Sequence, residues 1–109
     1  MKALRSESSR RSILRAKELL PLRELIRQVG DWDDFVFGNF CPFHDDNSPS
    51  FSIFEYEGQE LWKCHAGCGE GDQITYLELK FEISRGDAIR KFLTMAGVRH
   101  TGGGGRFRK

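Results

Sequence analysis

Only three cysteines occur among the 109 residues, and an odd count excludes a closed set of internal disulfides. Long apolar runs are missing too. Leu19-Leu20-Pro21-Leu22 is typical of what there is, far short of the roughly 20 residues that a membrane-spanning helix requires. The first residues leave no room for the apolar segment of a secretory leader, because Lys2, Arg5, Glu7, Arg10 and Arg11 interrupt it. These absences point to a soluble protein in a reducing, cytoplasmic setting that makes no membrane contact. A chain this short forms one small core with little stability to spare, so a cross-link or a bound metal would help it fold.

Charge of one sign is missing from two long stretches. Residues 29–60 contain no Lys or Arg and eight acids, a balance of −8. Residues 88–109 contain six bases and no acid, and residues 1–28 hold eight bases against three acids, so the ends carry +6 and +5. Basic ends flank an acidic middle, which assigns any phosphate-binding face to the ends.

The apolar pattern predicts helices at both ends and strands between them. Leu4, Ile13 and Leu14 suggest a helix over residues 3–18. Pro21 suits the first turn of a second helix in which Leu22, Leu25, Ile26 and Val29 form a stripe, and Gly30 suits its C-terminal stop. From Trp32 to Trp62 the reading changes to short aromatic strands: one around Phe35, Phe37 and Phe40, one at Phe51–Phe54 and one at Leu61–Cys64, the last two joined by a turn at Glu57-Gly58-Gln59. Asp72 is placed to cap a helix from Gln73 to about Phe81 with a stripe of Ile74, Leu77 and Phe81. Ser84 with Asp87 opens another, lined by Ala88, Ile89, Phe92, Leu93 and Ala96 and stopped at Gly97. The expected division is a basic helical extension at 1–20, a zinc-binding domain at 21–98 and a flexible Gly-rich basic tail at 99–109.

Two ligand pairs dominate the chemistry. Cys41-Pro42-Phe43-His44 and Cys64-His65-Ala66-Gly67-Cys68 each sit in a turn near a predicted strand end, an arrangement that brings four ligands to one tetrahedral zinc ion. We therefore expect one structural zinc held by Cys41, His44, Cys64 and Cys68. His65 is the rival ligand, although a residue adjacent to Cys64 tends to point away from it. Asp45 or Asp46 could orient the imidazole or could be plain turn residues. Gly67, Gly69 and Gly71 could shape a tight knuckle around sulfur or belong to an ordinary loop; without a Walker lysine they are not a phosphate loop. Four protein ligands leave no position for a catalytic water, so a zinc hydrolase is the disfavoured reading.

The string Cys41-Pro42-Phe43-His44-Asp45-Asp46-Asn47-Ser48-Pro49-Ser50-Phe51, with Trp62-Lys63-Cys64 and Cys68-Gly69-Glu70-Gly71-Asp72, closely resembles the N-terminal zinc-binding domain of bacterial DnaG-type DNA primases and of related phage and plasmid primases. The likeness runs less distinctly from Leu22 through Val98. It implies an α+β fold, a zinc ribbon with a small antiparallel sheet and flanking helices, and the same four zinc ligands. It also implies a module that engages single-stranded DNA during primer initiation, in replication or in a mobile element, without catalytic activity of its own. Two departures stand out: three residues rather than the usual two separate the last two cysteines, and Asp31, Asp33 and Asp34 precede the first ligand where basic residues are common. The catalytic domain that polymerises ribonucleotides in such primases has no counterpart in the sequence. The expected nucleic-acid contacts are Arg10, Arg11, Arg15, Trp62, Lys63, Arg90, Lys91, Arg99, Arg106, Arg108 and Lys109, with Phe51, Phe54 and Tyr56 as further stacking candidates. The alternative is a zinc-stabilised adaptor whose acidic face docks a helicase or a catalytic primase subunit.

Overall fold

The structure, a computed structural model, describes residues 2–43 and 49–98, giving the backbone alone at residues 2–9 and 37. Within it α1 (Lys2–Leu19), α2 (Leu22–Gln28) and α3 (Trp32–Gly38) precede a hairpin of β1 (Phe51–Tyr56) and β2 (Gln59–Cys64). A short β3 (Gly69–Gly71), α4 (Gln73–Phe81) and α5 (Arg85–Ala96) follow. The expected α+β architecture with a small antiparallel sheet is therefore present. No helix among the described residues is long and apolar enough to cross a membrane.

Local chemistry accounts for most of the boundaries. Pro21 stands at the N-cap of α2 rather than inside its first turn. At the other end of α2, Gly30 adopts φ +91°, and the Gly30 and Asp31 amides donate to the Arg27 and Ile26 carbonyls at 3.2 and 3.1 Å, the paired closure that left-handed glycine allows. The Asp72 carboxylate caps α4 by accepting from the Ile74 and Thr75 amides, both at 3.1 Å, while the Thr75 hydroxyl accepts from the Asp72 amide at 2.7 Å. Ser84 Oγ accepts from the Asp87 amide and starts α5. Gly97, at φ +77°, ends it.

Two parts of the chain depart from expectation. Residues 32–38 form helix α3, not the strand that alternating Phe35 and Phe37 suggested. Asp33 and Asp34 in the first turn complement the helix dipole, and Trp32 and Phe35 meet at i, i+3 with ring centroids 5.4 Å apart. Arg27 lies over the Trp32 ring at 4.4 Å, and Asn39 closes the helix in the left-handed region at φ 55°. The second departure is β3, where a loop or knuckle was expected: Gly69 pairs with Cys64 and Gly71 with Trp62 across the sheet.

The sheet order is β1-β2-β3, antiparallel throughout. The β1–β2 turn has only Glu57 and Gly58 between Tyr56 and Gln59, both at positive φ, the backbone of a type I′ turn. One sheet face carries Phe51 and Trp62, which pack with Phe43 and Tyr76. Trp62 is fully buried, stacked on Phe51 at 5.8 Å, and its indole N–H donates to the Asp72 carbonyl at 2.9 Å. Leu22, Leu25 and Ile26 of α2, Ile74 and Leu77 of α4 and Ala88, Phe92 and Leu93 of α5 complete the core. Phe81 falls outside that core: it is 41% exposed, with Lys91 Nζ 4.5 Å from its ring centroid. α1 packs on α5, Ala16 of α1 is buried, and Lys17 reaches Asp72 at 2.8 Å.

Candidate metal centre

Three separate pieces of backbone converge on one point. After the left-handed Asn39, its carbonyl accepts from the Ser50 and Phe51 amides at 3.2 and 3.0 Å, which returns the chain to the end of α3 and sets Cys41 beside the start of β1. The register Phe51↔Cys64 then brings Cys64 to the same end of the sheet. Cys64 pairs in turn with Gly69, so Cys68 stands next to it. The sulfurs of Cys41, Cys64 and Cys68 all lie within 4.8 Å of one another. Cys41 and Cys64 are buried and Cys68 is half-buried.

This donor set fits zinc. None of the three cysteines forms a disulfide, and the Cys41–Cys68 sulfur separation is 3.7 Å. Two thiolates bonded to tetrahedral zinc at about 2.3 Å stand about 3.8 Å apart, so that edge of the site already has the required length. Amides point at the sulfurs: that of Phe43 donates to Cys41 at 3.4 Å, and those of Ala66 and Cys68 donate to Cys64. Gly67, at φ +104°, turns the knuckle so that its own amide reaches the Cys64 carbonyl at 3.1 Å. Burial pushes the Cys41 thiol well above its ordinary value. At Cys64, burial also raises the pKa, but the two amides and the neighbouring thiols outweigh it and bring it down to about 7. Such a pair ionises fully when a cation neutralises it.

His44, with Asp45 and Asp46, lies outside the described residues. His65, the rival ligand, is exposed and turns its Nε2 to Ser52 Oγ at 3.0 Å. It does not join the thiol group.

The expected nucleic-acid contacts divide into three sets. Arg10, Arg11, Arg15, Lys63, Arg90 and Lys91 are exposed. Arg11 and Arg15 line a groove against Gly97 and Val98, Lys63 faces Glu70 at 3.6 Å and Arg90 is paired with Asp87. Trp62 is corrected: its ring is wholly in the core and offers no stacking face, and Phe51 is buried beside it. Arg99, Arg106, Arg108 and Lys109 lie outside the described residues. The exposed strand aromatics are Phe54 and Tyr56, at 42% and 61%. Parity separates the two groups, since Trp62 shares a face with Cys64 two residues on, whereas Lys63 faces the other way.

A buried polar link went unnoticed in the sequence. The Tyr76 hydroxyl donates to Asp31 Oδ2 at 2.7 Å and Lys80 Nζ donates to Asp31 Oδ1 at 2.8 Å, tying the α2–α3 connection to α4. Burial, with the Asp31 carboxylate beside it, pushes the Tyr76 phenol far above its usual range. Tyr76 and Lys80 stand 45 and 49 residues from Asp31 in the chain, and only local patterns are readable from one sequence.

Comparison with known proteins agrees with this geometry. The model of the CHC2 zinc finger, the zinc ribbon of DnaG, matches residues 24–103. The DNA primase of Deinococcus radiodurans is 33% identical over 58 residues, which cover 53% of this chain and 10% of that protein. The DNA primase of Clostridium acetobutylicum is 28% identical over 88 residues, 66% of this chain and 14% of the relative. That of Mycoplasma genitalium is 30% identical over 59 residues, 54% and 9% respectively. The matched part of the chain thus spans a seventh or less of each of these relatives. No solved structure matches it. With three thiols gathered at a zinc-ribbon knuckle and the family model covering most of its length, the chain belongs to the CHC2 zinc fingers, the N-terminal zinc domain of DnaG-type DNA primases.

Proposed function

We propose that this chain is a zinc module that holds single-stranded DNA during primase-type initiation, with nucleotide polymerisation left to a catalytic primase domain. One zinc ion is held by Cys41, Cys64, Cys68 and His44. When bound, it supplies a cross-link between the loop after α3 and the β2–β3 knuckle, and no reactive water.

The observation that carries the reading is the outer face of the sheet. Ser52, Phe54 and Tyr56 of β1 stand opposite Lys63, Leu61 and Gln59 of β2, on the face away from Trp62. Two exposed rings one strand-repeat apart, with a lysine at the next position, form a platform on which successive bases can stack while the ammonium meets phosphate. The metal end of the sheet fixes this platform, because Cys64 follows Lys63 directly and its backbone pairs with Phe51. The exposed Arg10, Arg11 and Arg15 of α1 and Lys91 of α5 add positive charge that attracts the DNA backbone without reading bases.

Fluorescence anisotropy with a labelled oligothymidine at two salt concentrations tests this. Binding should weaken steeply with salt, and Phe54→Ala with Tyr56→Ala should cost about 1–3 kcal/mol for each stacked base lost. Absent binding, or binding that ignores both salt and the two rings, refutes the reading.

A further inference from the structure

Several acidic side chains meet under the β1–β2 hairpin. A cavity of about 300 Å³ lies between the end of α1, Pro21 and the hairpin, walled by Glu18, Glu55, Glu60, Gln73 and Lys17. Lys17 is taken by Asp72 at 2.8 Å and Glu60 by Arg23 at 2.9 Å. Glu18 and Glu55 have no ion-pair partner among the described residues. The wall therefore carries uncompensated negative charge.

Gln73 closes the inner wall of the cavity. It is only 3% exposed, and its Nε2 donates to the Leu20 carbonyl at 3.1 Å. Its Oε1 is buried with no hydrogen-bond partner among the described residues. A buried acceptor left this way is unfavourable until a donor reaches it. An occupant suited to the acidic wall brings positive charge, as an ammonium or guanidinium does.

The adjoining backbone is also unfilled. The His65 amide donates to the Ser50 carbonyl at 2.6 Å, which fixes the alternation of the β1–β2 ladder. In the observed register, Ser52, Phe54 and Tyr56 then turn their backbone groups toward β2. Phe51, Ile53 and Glu55 turn theirs outward. The Phe51 amide is used by Asn39 at 3.0 Å, but no strand pairs with the outer edge of β1 among the described residues. An edge of this kind accepts an extended peptide through main-chain hydrogen bonds. Glu55 belongs to both features, with its backbone on the edge and its side chain in the cavity wall.

We propose that the outer edge of β1 and the cavity beneath the hairpin form one docking site for an extended basic segment of a partner protein. The segment adds a strand beside Ile53 and Glu55. One of its Lys or Arg side chains enters the cavity and neutralises Glu18 and Glu55. DNA is repelled here by the same carboxylates. The site leaves the face of Phe54, Tyr56 and Lys63 open and does not rest on the single-strand reading.

The zinc-loaded full chain is titrated with a fluorescein-labelled peptide of alternating valine and arginine, and with the same peptide N-methylated at alternate amides. Saturable binding is expected, about tenfold weaker for the methylated peptide and about tenfold weaker again when Glu18→Gln and Glu55→Gln are combined. Both glutamates are exposed, so the double variant should melt as the parent does, and its affinity for oligothymidine should not fall. The proposal is overturned if the peptide fails to bind, if methylation leaves its affinity unchanged, if the double glutamine variant binds it as tightly as the parent, or if oligothymidine displaces it.

Discussion

Replacing Asp72 tests how the family domain is joined to the helix that precedes it. Its carboxylate does two jobs: Oδ1 accepts from the Ile74 and Thr75 amides at the start of α4, and Oδ2 receives Lys17 from α1 at 2.8 Å. The two side chains are only 17% and 18% exposed, so the pair is shielded more than a surface bridge. Asp72→Ala removes the cap, worth about 1 kcal/mol, and strands the Lys17 ammonium, worth about 1–2 kcal/mol more. The sum, about 2–3 kcal/mol, should lower the melting temperature by about 10–15 °C for a domain of this size. Asp72→Asn keeps the cap and should lose only the ionic part. Burial opposes ionisation of Asp72, but Lys17 and the Thr75 amide outweigh it and hold the carboxyl below its usual value. A carboxyl depressed in the folded state contributes its stability above the unfolded value of 3.8 and loses it as pH falls through the lower folded value. Because acid also protonates the thiols and releases zinc, the comparison is made by circular dichroism near pH 7, where the parent should melt above Asp72→Asn by the ionic part. Equal melting of the alanine and asparagine variants at neutral pH, or an Asp72→Asn variant that melts with the parent there, refutes the reasoning.

Gly71 has φ +151°, and a Cβ there would fall 2.1 Å from Thr75 Oγ1, so Gly71→Ala should destabilise by about 3 kcal/mol or more, read by urea denaturation. His65→Ala should leave the zinc content of the purified protein unchanged, since the imidazole is turned to Ser52 rather than to the thiols. Tyr76→Phe leaves one oxygen of the buried Asp31 without its donor and should cost about 1–3 kcal/mol by the same denaturation assay.

What could be read from the sequence follows from how local each signal is. α4, α5 and the hairpin were legible because their boundaries are written in short-range chemistry: Asp72 at a cap, Ser84 accepting from the Asp87 amide three residues on, glycine at 58 and 97. The clustered thiols were legible from ligand spacing alone. α3 was not, because Phe35 and Phe37 alternate as a strand does, while the contacts that favour helix, Arg27 over Trp32 and Trp32 against Phe35, appear only once the turn is formed. β3 was hidden by its composition, since a strand of Gly-Glu-Gly has almost no side chain to signal with and is held by its backbone pairing to β2. Trp62 was assigned to DNA because an aromatic ring serves a core and a stacking surface equally well. The parity it shares with Cys64 decides the matter, and that parity becomes usable only when the register is known.

The thiol trio is the point on which the fold and its proposed work both depend, and metal content measures it most directly. Full-length chain, purified without chelators, should contain one zinc per molecule by elemental analysis, and a strong chelator should abolish its cooperative melting. Protein that is folded, carries no metal and melts identically with and without chelator would contradict the account.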